Sequence, residues 1–212
     1  MSDLQHIRKE YISHQLDIDN LDDNPIVQFR YWLNEAIRSE VPEPTAMALS
    51  TVSEEGRPSS RMVLLKSLDD DGFTFFTNYD SKKGGQIALN PAGALLFFWP
   101  MLERQVRIEG KIFKTLRHES DEYFRTRPEG SRIGAWASPQ SKRIPSREYL
   151  ENLQKDYLEL FKTKTLDRPE NWGGYKLFPQ MMEFWQGREN RLHDRFEYVK
   201  KGGMWEVCRL AP

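Results

Sequence analysis

Hydrophobic spacing changes period along this chain, and the changes divide it into blocks. Residues 4–16 carry Leu4, Ile7, Tyr11, Ile12 and Leu16 at roughly helical spacing, which predicts a short amphipathic arm. The segment "LDDNPIVQFRYWLNEAIRSE" opens with Asp and Asn before Pro25, as a helix start does. Ile26, Phe29, Leu33 and Ile37 are its expected buried stripe. From position 45 the runs "TAMALSTVS", "SSRMVLLKS", "GFTFFTN", "GALLFFW" and "RQVRIEGKIFK" are rich in strand formers. "SEEGRP" and "LDDDGF" separate the first three, each with a Gly where a tight turn calls for positive φ. Connections this short favour antiparallel neighbours, since a parallel crossover needs a dozen or more residues. In "RQVRIEGKI", Val106, Ile108 and Ile112 alternate with Gln105, Arg107, Glu109 and Lys111, so one face is buried and one polar.

Helices are expected over roughly 117–126, 129–136 and 146–162, and strands return at "GGYKLFP", "QMMEFWQG", "DRFEYVKK" and "MWEVCRL", with "KKGG" as the last hairpin turn. No repeat, low-complexity tract or splitting linker interrupts the pattern. The expected fold class is α+β: an antiparallel β-barrel with surrounding helices, formed by one domain over 23–212 after an arm over 1–22.

Composition narrows the function. The chain has 212 residues and 38% hydrophobic content, enough for one sizeable core or two small ones. Thirty-one basic residues against 32 acidic ones give a net charge of −1, which argues against a nucleic-acid-coating protein. Six Trp and twelve Phe imply a packed core plus an aromatic-lined pocket or interface. Cys208 stands alone, so neither an internal disulfide nor a multi-cysteine zinc site can form. "MSDLQHIRKEY" is charged from its start, unlike a signal peptide, and no apolar run approaches a membrane span, so a cytoplasmic protein is expected.

The common nucleotide and hydrolase motifs (G-x-G-x-x-G, Walker loop, G-x-S-x-G, H-E-x-x-H) are absent, and the four His are scattered singly. Four stretches carry candidate chemistry. Arg61 and Lys66 bracket "RMVLLK", and Lys82 and Lys83 open an expected helix at "GGQIALN", where free N–H groups and the dipole favour an anion. Alone, "SKKGG" is a weak signal and reads more readily as a solvated turn. In "YFRTRPEGSRIGAW", Tyr123, Arg127 and Ser131 stand four apart, sharing a face if the helix runs through Pro128; together they offer the donors a phosphate monoester accepts from. The bland alternative is a surface helix. In "WQGRENRLHDR", an extended 191–195 would put Arg191, His193 and Arg195 on one face, a row of cations that is unfavourable without an anion.

"MEFWQGRENRLHDR", together with "RMVLLK", "FFTN", "LERQVRIEG", "IGAWASPQS" and the closing "RLAP", resembles the pyridoxine (pyridoxamine) 5′-phosphate oxidase family in motif order and spacing, from about residue 25 to the C-terminus. The resemblance implies an FMN-binding split β-barrel, Greek-key in type, working as a homodimer with FMN at the subunit interface. Carried over, the flavin-binding residues would be Arg61, Met62, Val63, Leu64, Leu65, Lys66, Phe76, Thr77, Lys82, Lys83, Gln105, Gln140, Ser141, Trp185 and Arg195. Lys66, Tyr123, Arg127 and Ser131 would surround the substrate phosphate, with Arg191, Leu192 and His193 at the pyridine ring and Arg191 and His193 as the catalytic pair. Arg8, Lys9, Glu10 and Tyr11 would match a segment that closes over the substrate. The chain departs from the family pattern at Lys82, where Arg is usual, and at Arg132, where Gln is usual.

The reaction implied is oxidation of pyridoxine or pyridoxamine 5′-phosphate at C4′ to pyridoxal 5′-phosphate, with O2 as acceptor and hydrogen peroxide as by-product. Two rival readings are another split-barrel protein, such as a flavin reductase or haem binder, and a non-catalytic module for a phospho-ligand or RNA. The first would lack the Arg191-x-His193 pair with Tyr123, Arg127 and Ser131; the second would purify colourless.

Overall fold

The computed structural model describes residue 6, residues 10–12 and residues 14–212. Leu4, Ile7, Arg8 and Lys9 of the expected arm therefore lie outside the described residues, and residues 10–12 and 14–17 form no helix. Helix α1 runs Pro25–Arg38, with the Asn24 side chain accepting from the Ile26 N–H and Pro25 in the first turn. Its buried face is Ile26, Phe29, Trp32 and Ala36. Ile37, expected inside, is 50% exposed. The stripe turned because Trp32 offers more apolar area than Leu33 and takes the inward position.

The strands are β1 (Ala46–Val52), β2 (Pro58–Leu64), β3 (Ser67–Leu68), β4 (Phe73–Asn78), β5 (Ala92–Trp99), β6 (Arg104–Lys114), β7 (Trp172–Gln186), β8 (Asp194–Lys201) and β9 (Met204–Leu210). The remaining helices are α2 (Lys82–Leu89), α3 (Arg117–Thr126), α4 (Glu129–Ala137) and α5 (Arg147–Leu160). The hydrogen-bonded order is β2-β1-β5-β6-β7-β4-β3, with β8 pairing β7 and β9 pairing β8. β6 alternates along Val106, Ile108, Gly110 and Ile112, all buried, as its period predicted.

Two expected strands, "GGYKLFP" and "QMMEFWQG", are one strand, β7, despite Pro179. Residues 172–177 pair antiparallel with β4 and residues 181–186 with β8, so Pro179 falls in the gap between those two ladders. The turn glycines also divide. Gly56 has the expected positive φ (79°). Gly72 does not; a Cβ there would lie 2.1 Å from the Leu177 carbonyl oxygen, so close backbone approach excludes a side chain. The "KKGG" hairpin closes as expected, with Lys201 opposite Met204 and φ of 56° and 87° at Gly202 and Gly203.

Internal contacts gather into two compact units: residues 1–49, 94–110 and 179–212, and residues 50–93 and 111–178. In the first, Phe29 packs on Phe97 at 4.8 Å, Trp32 on Phe184 at 5.1 Å and Phe184 on Tyr198 at 5.6 Å. In the second, Tyr175 lies between Phe75 at 5.8 Å and Tyr79 at 5.2 Å, and Trp136 packs on Phe161 of the segment after α5 at 5.3 Å. These aromatic cores hold the walls from which the polar residues project.

Candidate active site

The second unit contains a cavity of about 330 Å³. β2 lines it with Arg61, Met62, Val63 and Leu64, and Lys66 follows; β4 contributes Phe76 and Thr77, α2 Lys83, α3 Tyr123, and the α3–α4 break Arg127. Gln140 and Trp172 complete the wall. Arg61, Lys66, Lys83 and Arg127 are cations, and none of these lining residues is acidic. Such a wall raises a positive potential inside a low-dielectric cleft and selects for anions.

Helix α2 begins because the Ser81 hydroxyl accepts from the Gly84 N–H, and this turns Lys83 inward. Its Nζ donates to Thr77 Oγ1 and Gln140 Oε1, both at 3.1 Å, and Thr77 Oγ1 donates to the same Gln140 oxygen at 3.0 Å. Gln140 therefore spends its oxygen on the wall. Burial, with the nearby Arg61 charge, lowers the Lys83 pKa. Lys82 is exposed and does not line the cavity.

Phe76 stacks on Tyr123 at 3.9 Å and on Trp172 at 5.6 Å, and the Arg127 guanidinium sits 4.5 Å over the Trp172 ring. α3 ends at Thr126 because Arg127 is extended (φ −72°, ψ 144°) ahead of Pro128. The break sends Arg127 into the cavity; Ser131, in α4, is exposed and lies outside the lining. The expected single face of Tyr123, Arg127 and Ser131 does not form, for the reason Pro128 foretold. Arg127 Nη1 is buried without a hydrogen-bond partner among the described residues. An unsatisfied buried donor is costly unless a ligand meets it. Burial lowers the Arg127 pKa, against the raising effect of Tyr123, and raises that of Tyr123, against the lowering effect of Arg127. Of the other carried-over residues in this unit, Leu65 is buried in the core and Ser141 is exposed with φ 69°.

The first unit holds the remaining residues. The segment after β7 is not extended as expected: Glu189–Arg191 form a 3-10 turn, with φ of 53° at Asn190 and 61° at Arg191. The strand resumes at Asp194, so Arg191, His193 and Arg195 do not share a strand face. Arg191 and Leu192 are exposed. His193 Nδ1 accepts the Arg188 backbone N–H at 3.1 Å, which leaves the neutral ring its proton at Nε2. Burial, then the Arg191 charge, lowers the His193 pKa, while Asp194 opposes. His193 lies 4.5 Å from the Trp185 ring, and Tyr11 meets both rings edge-on at 5.9 and 5.7 Å. Tyr11 seats over Gly187, where a Cβ would fall 2.6 Å from its Cγ. Arg195 donates from Nε to the buried Glu183 at 2.7 Å and from Nη1 to the Ala211 carbonyl at 2.8 Å, and Glu183 also pairs with Arg107 at 2.9 Å. Gln105 is half-buried on β6, and Glu10 is exposed.

Residues 33–152 match the family model described as pyridoxamine 5′-phosphate oxidase, and residues 172–212 match the pyridoxine 5′-phosphate oxidase C-terminal dimerisation region. A Ralstonia nicotianae protein described as pyridoxine/pyridoxamine 5′-phosphate oxidase 1 is 53% identical over 213 residues, covering all of both chains. The chain belongs to the pyridoxine/pyridoxamine 5′-phosphate oxidase family. It is an oxidoreductase by that membership, which also implies a flavin cofactor. PhzG from Burkholderia lata, solved with tetrahydrophenazine-1-carboxylic acid, is 32% identical with a TM-score of 0.88, covering 94% of this chain and 100% of that one. An FMN-binding protein of Nostoc punctiforme related to pyridoxamine 5′-phosphate oxidase shares the fold at 19% identity and a TM-score of 0.70, covering 91% of this chain and 99% of its own. The split β-barrel expected from the sequence is the fold of these oxidase-family structures.

Trp172 was not among the sequence candidates, although it underlies Arg127. Its stretch, "NWGGYK", carries no signal that separates a cavity wall from an ordinary strand start. Among the described residues no cluster of His, Cys, Asp and Glu could hold a metal, and no helix is long and apolar enough to cross a membrane.

Proposed function

We propose that this chain is an FMN-dependent oxidase that converts pyridoxine 5′-phosphate or pyridoxamine 5′-phosphate to pyridoxal 5′-phosphate. In this reading O2 takes up the electrons, hydrogen peroxide is released, and the reaction serves vitamin B6 salvage in the cytoplasm. The observation that carries it is the cavity where Arg61, Lys66, Lys83 and Arg127 meet with no acidic lining residue. Its donors fit phosphate-bearing ligands: guanidinium and ammonium groups for the charge, aromatic faces for a planar ring.

Arg61, Lys83, Gln140 and the β2 backbone are assigned to FMN, as are Gln105, Trp185 and Arg195 by the resemblance. Lys66, Tyr123 and Arg127 hold the substrate phosphate, and Arg127 Nη1 supplies a donor with no partner among the described residues. A bound flavin supplies the acceptor for the hydride that leaves C4′. His193, neutral and fixed through Nδ1, presents Nε2–H to the pyridine ring, and the Arg191 charge favours an ionised ring oxygen. Phosphate anchoring fixes the ring's orientation and so lowers the barrier by proximity. The chain works as a homodimer through residues 172–212, the stretch matching the family's dimerisation region.

Steady-state turnover tests the reading. Pyridoxine 5′-phosphate should yield pyridoxal 5′-phosphate with one hydrogen peroxide per O2 consumed. An FMN-loaded protein that oxidises a tetrahydrophenazine carboxylic acid and leaves pyridoxine and pyridoxamine phosphates untouched would overturn it.

A further inference from the structure

Arg61 enters the cavity from β2, a strand whose residues alternate between exposed and half-buried, so packing alone fixes its side chain poorly. What holds it is a polar chain running into the core. Arg61 Nη1 donates to Thr51 Oγ1 at 2.6 Å, and that hydroxyl donates to Gln86 Oε1 at 2.6 Å. Gln86 Nε2 then reaches Ser59 Oγ at 3.4 Å. Thr51 is fully buried and Gln86 is 7% exposed, so neither has water as a ready substitute.

The directions follow from the donor inventory. A guanidinium only donates, so Thr51 Oγ1 must accept from it and turn its own proton towards Gln86. Gln86 must then present its oxygen to Thr51 and its amide N–H to β2. Each partner has one role, and the chain has one arrangement. A hydroxyl at this place anchors the guanidinium without cancelling its charge, as a carboxylate would. Burial already lowers the Arg61 pKa, so its charge is held in a desolvated wall.

We propose that Thr51 and Gln86, which lie behind the cavity lining, are positioning residues: their buried hydrogen-bond relay aims the Arg61 guanidinium into the anion cavity and thereby sets the affinity for the flavin phosphate. The proposal rests on the assignment of Arg61 to FMN. The relay links β1, β2 and α2, so it ties the cavity's cationic wall to the folding of the sheet behind it.

The experiment is titration of the apoprotein with FMN, followed by flavin fluorescence, for wild type, Thr51→Val, Thr51→Ser, Arg61→Met and the double variant Thr51→Val/Arg61→Met. Thr51→Val keeps the side-chain shape and removes the acceptor; it should raise Kd for FMN about tenfold, equivalent to about 1.4 kcal/mol. Thr51→Ser retains the hydroxyl and should stay within about threefold of wild type, since one methyl lost in a core is a modest packing change. In the Arg61→Met background Thr51→Val should add nothing, because the group it positions is gone. A merely structural Thr51 would instead add the same loss in both backgrounds, and that result overturns the proposal. If Arg61→Met leaves FMN affinity unchanged, the flavin assignment of this wall fails, and the proposal with it. If Arg61→Met weakens FMN while Thr51→Val does not, the relay alone is refuted. Should Thr51→Val fail to fold, Gln86→Met cuts the same relay one bond further back and is read against the same criteria.

Discussion

Replacing Arg127 by Met should separate function from stability, because the guanidinium is held in a position that serves the fold poorly. Its Nη1 is buried without a partner among the described residues, where its ring contacts are Trp172 at 4.5 Å and Phe124 at 5.9 Å. Removing the cation–π contact costs about 0.5–2 kcal/mol. Removing an unsatisfied buried donor returns about 1–3 kcal/mol. The terms nearly cancel, so the apoprotein should unfold within about 4 °C of wild type, at about 2–4 °C per kcal/mol for a chain of this size. Binding has no such compensation. A hydrogen bond to a charged group contributes about 1.5–3 kcal/mol, so kcat/KM for pyridoxine 5′-phosphate should fall about ten- to hundredfold. Unphosphorylated pyridoxine, which offers this donor no phosphate, should lose little. The assays are thermal unfolding of the apoprotein and kcat/KM for both substrates on the wild-type and variant enzymes. An equal fall for both substrates would refute the phosphate assignment, and a much larger drop in Tm would show that Arg127 holds the fold.

Three further outcomes are expected. Light scattering across a dilution series should give about twice the 25.0 kDa chain mass; a monomer that retains FMN tightly would contradict the interface assignment. Arg191→Met should lower kcat/KM while FMN stays bound, and Arg195→Met, which breaks the contact with Glu183, should weaken FMN first; equal flavin loss in both would show the two roles are wrongly divided. His193 should titrate below its ordinary 6.5 in the apoprotein by NMR. Its folded-state pKa is lowered, so the unfolded chain binds the extra proton first, and this group's contribution to stability is lost as pH falls below 6.5. Arg191→Met, by removing a neighbouring positive charge, should move the midpoint up, and a wild-type midpoint at or above 6.5 would show that burial does not govern this ring.

Local signals in the sequence located most elements. The α3 span of 117–126 and the alternation of β6 needed only period and composition. What failed were places where tertiary context decides. Trp32 displaced Leu33 from the buried stripe, and Pro179 stands inside β7 in the gap between the β4 and β8 ladders instead of ending a strand. The turn at 189–191 had a local signal, since Asn tolerates the left-handed region, but the alternation of Arg191, His193 and Arg195 outweighed it. For the site, local reading found the cations of the cavity, and the family resemblance supplied their roles. Neither could find Trp172, or Thr51 and Gln86 behind Arg61, because those contacts are set by tertiary packing and involve types ordinary in any core.

The most direct test of the central claim is the visible spectrum of the FMN-loaded protein, recorded without oxygen before and after pyridoxine 5′-phosphate is added. The yellow oxidised spectrum should bleach with this substrate and return when air is admitted. A loaded protein that keeps its oxidised spectrum through both additions would contradict it.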